Sequence, residues 1–205
     1  MLISFLLNTL LLLPLLGSFL LVWVPAHHST LLKQITLSFS SLVFIVSLVV
    51  WLFFDKSVGS FQFVSKIAWF SSLNINLHLG VDGISLFFVI LSTFLIFICL
   101  LACWGSVSRD VKYYLILFLL LEFFLIGVFC VLDLLIFYIF FECVLIPMFF
   151  ILGIWGSRER KIRAAYFFFF YLVWLSADAI GDYLHIYSNR YNELRNTFNG
   201  LFYKK

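Results

Sequence analysis

Charge is scarce in this sequence. Of its 205 residues only 11% are Asp, Glu, Lys or Arg, against 64% hydrophobic ones, and the mean hydropathy is +1.15. Soluble domains carry about a quarter charged residues, so a water-facing globule is excluded and a chain of membrane-spanning helices is expected. Strict alternation of apolar and polar residues, which a transmembrane β-barrel requires, is also missing, because the long runs are apolar on every face. The formal net charge of +3 is small. It sits in loops, where it speaks to orientation and not to nucleic-acid binding.

Other absences narrow the chemistry. There is no GxGxxG, no P-loop, no CxxC and no HExxH. Cys99, Cys103, Cys130 and Cys143 all lie inside apolar runs, where a thiol packs as a small hydrophobe. Cys99 and Cys103 share a helix face but lack the His or carboxylate partners of a metal site. None of the four His lies in mid-membrane, which argues against bis-histidine haem ligation. No redox cofactor or metal is expected to bind, and proton transfer is the chemistry left. After Met1 there is no basic stretch and no clean small-residue cleavage site, so the first helix is expected to remain in place.

What is present is length. Val111 to Trp155 would make a continuous helix of roughly 67 Å, about twice a hydrocarbon core of ~30 Å. It must fold back, and Asp133 is the polar residue that marks a turn between helices at about 113–131 and 134–155. Crossings are also expected at 2–24, interrupted by Asn8, Pro14 and Gly17, at about 31–54, and at about 79–104. The second of these carries Ser38, Ser40, Ser41 and Ser47, suited to close helix contact. The last opens with LGVDGISLFF, in which Asp82 is placed as the helix N-cap. Residues 55–79 read as an extramembrane connection at the interface, with Trp69 at headgroup level. Residues 164–175 are apolar but too short for a full crossing. The expected fold is an all-α polytopic bundle of five to six transmembrane helices. With five crossings, Lys33, Arg109, Lys112 and the run Arg158, Arg160, Lys161 and Arg163 fall on one side, which the positive-inside rule places in the cytoplasm or matrix.

Two carboxyls then stand near mid-depth, Glu122 and Glu142. Ionisable groups there are costly and normally face a protein or aqueous interior with a task to perform. Pro147 follows Glu142 by five positions and deprives the Cys143 carbonyl of its helical donor, opening the helix beside the acid. Glu142 is therefore the first proton-transfer candidate and Glu122 the second. The competing role for either is a hydrogen bond to one neighbouring helix. Asp133 is read as a turn residue, the basic run at 158–163 as an orientation signal that also meets anionic lipid, and the 28 Phe as lipid-facing bulk and packing.

LGVDGISLFFVILSTFLI, VLDLLIFYIFFECVLIPMFFILGIWGSRERKIRAAY and the FFFFY that follows closely resemble the chain 4 family of proton-pumping NADH:ubiquinone oxidoreductase, respiratory complex I. The resemblance covers residues 2–171, an N-terminal transmembrane part, and is most specific from Leu79 onwards. Residues 172–205 depart from it and are expected to be a divergent tail, a read-through or a fragment end. The family is also similar to subunits of multi-subunit Na⁺/H⁺ antiporters. The resemblance implies that Glu142 belongs to the proton-transfer site and pairs with a lysine on a later helix, which has no counterpart here. Glu122 would be an auxiliary acid. NADH, flavin, iron–sulfur clusters and ubiquinone would belong to other subunits, so no cofactor is expected in this chain. The implied partners are the lipid bilayer and other membrane-arm subunits, with no nucleic acid. The implied location is the mitochondrial inner membrane, or a bacterial plasma membrane. An antiporter subunit, a non-catalytic scaffold and a non-functional fragment are the rival readings.

Overall fold

The computed structural model describes residues 2–70, 75–107, 109–156 and 166–171, together with positions 174, 181, 185 and 189. The basic run at 158–163 and most of the tail lie outside the described residues. Five helices are named: α1 (Leu2–Trp23), α2 (Ser29–Leu52), α3 (Gly83–Ala102), α4 (Val111–Cys130) and α5 (Leu134–Trp155). Each has 20 or more residues, which at 1.5 Å per residue reaches about 30 Å, the thickness of a hydrocarbon core. All five are long and apolar enough to cross a membrane. This is the multi-pass helical bundle expected from composition.

Short connections join α1 to α2, α3 to α4 and α4 to α5, a longer link returns α2 to α3, and consecutive helices run antiparallel. One end of the bundle gathers the C-terminus of α1, the N-terminus of α2, the C-terminus of α3, the N-terminus of α4 and the C-terminus of α5; we call it the basic face. Lysines bind it together. Lys33 Nζ donates to the carbonyls of Trp104 (2.6 Å) and Val107 (3.4 Å), and Lys112 Nζ donates to those of Val22 (2.8 Å) and Val24 (2.9 Å). Each lysine stands near the start of its own helix, the wrong end of that helix's dipole for a cation. Each satisfies the unpaired carbonyls at or just beyond the C-terminus of a neighbouring antiparallel helix.

α4 is the hub, packing on all four other helices, whereas α5 packs chiefly on α4. The burial follows. α4 covers nine of its residues, while α5 buries only Ile136 and Pro147. Gly127 is where α4 and α5 approach: a Cβ there would strike the ring of Phe140. The apolar interior is organised in two clusters, one around Leu10, Val43, Leu86 and Ile126, the other around Leu21, Leu32, Leu100 and Leu119.

The segment read as an extramembrane connection contains an antiparallel hairpin, β1 (Gln62–Phe70) and β2 (Ile75–Val81), with Lys66 opposite His78 and Ala68 opposite Asn76. In β2, Ile75, Leu77, Leu79 and Val81 alternate with Asn76, His78 and Gly80, the two-residue period of a strand with one covered face. Leu79 and Val81 are buried. A register shift between Gln62 and Ser65 goes with a left-handed Phe63 (φ 56°), a bulge that accompanies the ring's burial in the core. The placement of the Trp69 side chain lies outside the described residues. β2 continues to the α4–α5 turn, where the Leu132 N–H donates to the His78 carbonyl at 2.8 Å and Leu79 bridges Val131.

Candidate functional site

The five named helices contain four charged residues, Lys33, Lys112, Glu122 and Glu142. The lysines are committed to carbonyls at the basic face, so the two acids stand without a cation on any of these helices. Glu122 lies eight residues before the end of α4 and Glu142 eight residues after the start of α5. Since a turn joins these helices, both carboxyls sit about 12 Å from it, at one depth.

They nevertheless face different ways. Phe140 packs its ring against Gly127 and lies 5.6 Å from the Phe123 ring and 6.2 Å from the Phe124 ring, so it marks the side of α5 that meets α4. Two residues further on, at about 100° per residue, Glu142 points to the opposite side. It is half-buried, among the exposed Phe141, Ile146, Met148 and Phe150 of the outer face. Glu122 points inward and is 1% exposed. Its Oε1 accepts from the Ser40 hydroxyl of α2 at 3.5 Å, and its Oε2 has no partner among the described residues. The structure therefore keeps the two acids apart, with an aromatic seam between them.

Pro147 lies within α5 and is buried, and the helix continues through it to Trp155. The ring leaves the Cys143 carbonyl, one residue from Glu142, without its helical N–H. Asp82 caps α3 from outside the span: its Oδ1 accepts from the Ser85 N–H at 2.8 Å while the Ser85 hydroxyl accepts from the Asp82 N–H at 2.9 Å, a reciprocal box. The Ser85 backbone N–H, followed by the Ser85 hydroxyl, holds the Asp82 carboxyl below the ordinary aspartate range. Asp133 caps α5, accepting from the Leu135 N–H at 3.0 Å.

Sequence reasoning did not single out Ser40 as the partner of Glu122. The contact spans 82 positions, and nothing local signals it. Lys33 and Lys112 were read for orientation alone, although a cation in the first turns of an apolar helix is itself a sign that it serves a neighbour. Asn8 of α1 is half-buried: its Nδ2 donates to Ser65 Oγ at 3.4 Å, tying α1 to the hairpin, while its buried Oδ1 has no partner among the described residues.

Comparison with known proteins bears on this arrangement. Residues 131–177 match the family model described as NADH:quinone oxidoreductase/Mrp antiporter, TM. Among curated proteins the chain is 54% identical over 165 residues to NADH-ubiquinone oxidoreductase chain 4 of Arabidopsis thaliana, covering 80% of this chain and 33% of that one. With chain 4 of Mycosarcoma maydis the identity is 42% over 187 residues, 89% of this chain and 38% of that one. The chain thus spans about a third of the length of the curated relatives it matches. A solved structure, respiratory complex I from Thermus thermophilus with bound NADH, contains a chain that superposes with a TM-score of 0.63 at 26% identity, over 78% of this chain and 31% of that one. By sequence and by fold, the five-helix bundle around Glu122 and Glu142 is similar, over about four fifths of this chain, to a third of an NADH-ubiquinone oxidoreductase chain 4 membrane subunit.

Proposed function

We propose that this chain takes part in proton translocation coupled to quinone reduction, as a membrane-arm subunit of NADH:ubiquinone oxidoreductase in the mitochondrial inner membrane. Glu142 is the proton-loading carboxyl, Glu122 an auxiliary acid, and Pro147 the break that opens α5 beside Glu142. The observation that carries this reading is the position of Glu142 at mid-depth on α5, the helix the bundle covers least, with its carboxyl turned away from α4 toward the open side. A basic group supplied from that side completes the pair, since an isolated acid there has nothing to exchange its proton with. The basic face, held by Lys33 and Lys112, lies toward the matrix. Redox chemistry belongs to other subunits, which hold NADH, flavin, iron–sulfur clusters and ubiquinone.

The test is Glu142→Gln in the full-length chain 4 of an assembled complex, with NADH-driven proton uptake measured in proteoliposomes. Pumping should fall at least tenfold while the complex assembles. Undiminished pumping would turn the reading into that of a scaffold. The family model's own description spans Mrp antiporters, so the same vesicles should be assayed with and without Na⁺; sodium-dependent proton exchange without NADH would favour an antiporter subunit.

A further inference from the structure

We propose that the α2–α4 interface carries a proton-binding site of its own, Glu122 with Ser40 as its hydroxyl partner, reached from the basic face past Thr36 and separate from the site at Glu142. Protons as the cargo are taken from the reading above; the location and independence of the site come from geometry.

Ser40 behaves unlike the other hydroxyls in the body of α2, from Thr36 onwards. Thr36, Ser38, Ser41 and Ser47 each donate to a carbonyl of their own helix at 2.7–2.9 Å. Such back-bonding is the usual fate of a hydroxyl in an apolar helix. Ser40 instead turns across to the carboxyl on α4. Glu122 and Ser40 each lie eleven residues from the start of their helices, about 16 Å from the basic face, so the contact is a level one between parallel segments. The second carboxyl oxygen is buried and has no partner among the described residues. A buried carboxyl with one long hydrogen bond, one empty oxygen and no counter-cation among the described residues is poorly built as a structural clasp, because leaving a buried polar atom unmet is costly.

The surroundings set the route. Along the buried face of α2 run Leu32, Thr36, Ser40, Val43, Ser47 and Val50. Thr36 stands one turn from Ser40 toward the basic face, with Leu32 beyond it as an apolar plug. On the other side Val43 separates Ser40 from the hydroxyl pair Ser47 and Thr93, 3.2 Å apart. Of the charged groups on the helices packed around Glu122, Lys33 and Lys112 are bound to carbonyls, and Glu142 lies across the Phe123, Phe124 and Phe140 rings. Toward the basic face the next polar group is the Thr36 hydroxyl, buried behind Leu32, whereas toward Glu142 the aromatic rings close the site.

Infrared spectroscopy of the full chain in lipid nanodiscs tests this, following the carboxylic C=O stretch through H₂O-to-D₂O exchange. A band lost in Glu122→Gln, moved to higher frequency in Ser40→Ala and retained in Glu142→Gln is the expected pattern. Thr36→Val, close in shape to threonine, should slow its exchange about tenfold, the factor that goes with one net hydrogen bond. A band that also disappears in Glu142→Gln would mean one coupled pair and overturn the separation. A spectrum with no band assignable to Glu122, or a band indifferent to Ser40→Ala and Thr36→Val, would remove the site itself. None of these outcomes depends on whether Glu142→Gln abolishes pumping, so the two proposals fail independently.

Discussion

Replacing Gly127 by Ala tests how α4 holds α5. A Cβ at this position would lie 3.0 Å from Phe140 Cγ and closer still to two further ring carbons. Ordinary carbon contacts settle at about 3.5–4.0 Å, so ring or helix must give way. The ring has little room, standing between Phe123 and Phe124 at centroid distances of 5.6 and 6.2 Å. Overpacking of this kind costs about 1–3 kcal/mol, and contact with several ring atoms places it at the upper end. Alanine returns about 1 kcal/mol through its better helix propensity. The net expectation is a loss of about 2 kcal/mol, roughly a 30-fold fall in the folded-to-unfolded ratio. Reversible SDS unfolding of the chain in mixed micelles reads that difference directly. Adding Phe140→Leu should recover most of it, because the branched aliphatic chain leaves space where the ring stood. If Gly127→Ala were as stable as the parent chain, or if Phe140→Leu gave no relief, the close approach of α4 and α5 at this glycine would be refuted.

Lys112→Met should destabilise the bundle by about 1–2 kcal/mol in the same unfolding assay, since two carbonyls at the end of α1 lose a charged donor; Lys56→Met, which loses an exposed cation–π contact to the Trp51 ring at 5.9 Å, should cost less, about 0.5 kcal/mol. Asp82→Ala should cost about 1 kcal/mol by removing the cap of α3. Because the folded Asp82 carboxyl sits below its ordinary value of 3.8, its contribution is complete above that value and is lost as pH falls through the lower folded value; stability of Asp82→Ala against the parent chain, measured across that acid range, should converge as the pH drops. Pro147→Ala should give the Cys143 carbonyl back its donor, visible as slower amide exchange of residues 143–147 by mass spectrometry, and unchanged exchange would mean that the proline opens nothing.

The helices were legible because their apolar runs are long, and because Asp133 and Asp82 are polar residues placed where the chain must turn or start a helix. The hairpin was less so: Lys66, Asn76 and His78 suggest a solvated link, and the apolar alternation of Ile75, Leu77, Leu79 and Val81 shows only when polar and apolar positions are read together. The order of the two acids was drawn from Pro147, a local feature, and local features carry no information on facing. That Glu122 turns inward and Glu142 outward depends on which sides of α4 and α5 meet, set by Gly127 and Phe140. The Ser40 contact is a property of the packed bundle, invisible in either helix alone.

The strand ending at Val81 has a mechanical consequence. It is stitched to the α4–α5 bend by the His78–Leu132 hydrogen bond and the Leu79–Val131 bridge, and the Leu132 side chain fills the hollow over Gly80. A tug on this small sheet from outside the bilayer would therefore reach the upper ends of both acid-bearing rods through a single joint. The two would be drawn along together, and neither carboxyl could change its level in the membrane without dragging the other.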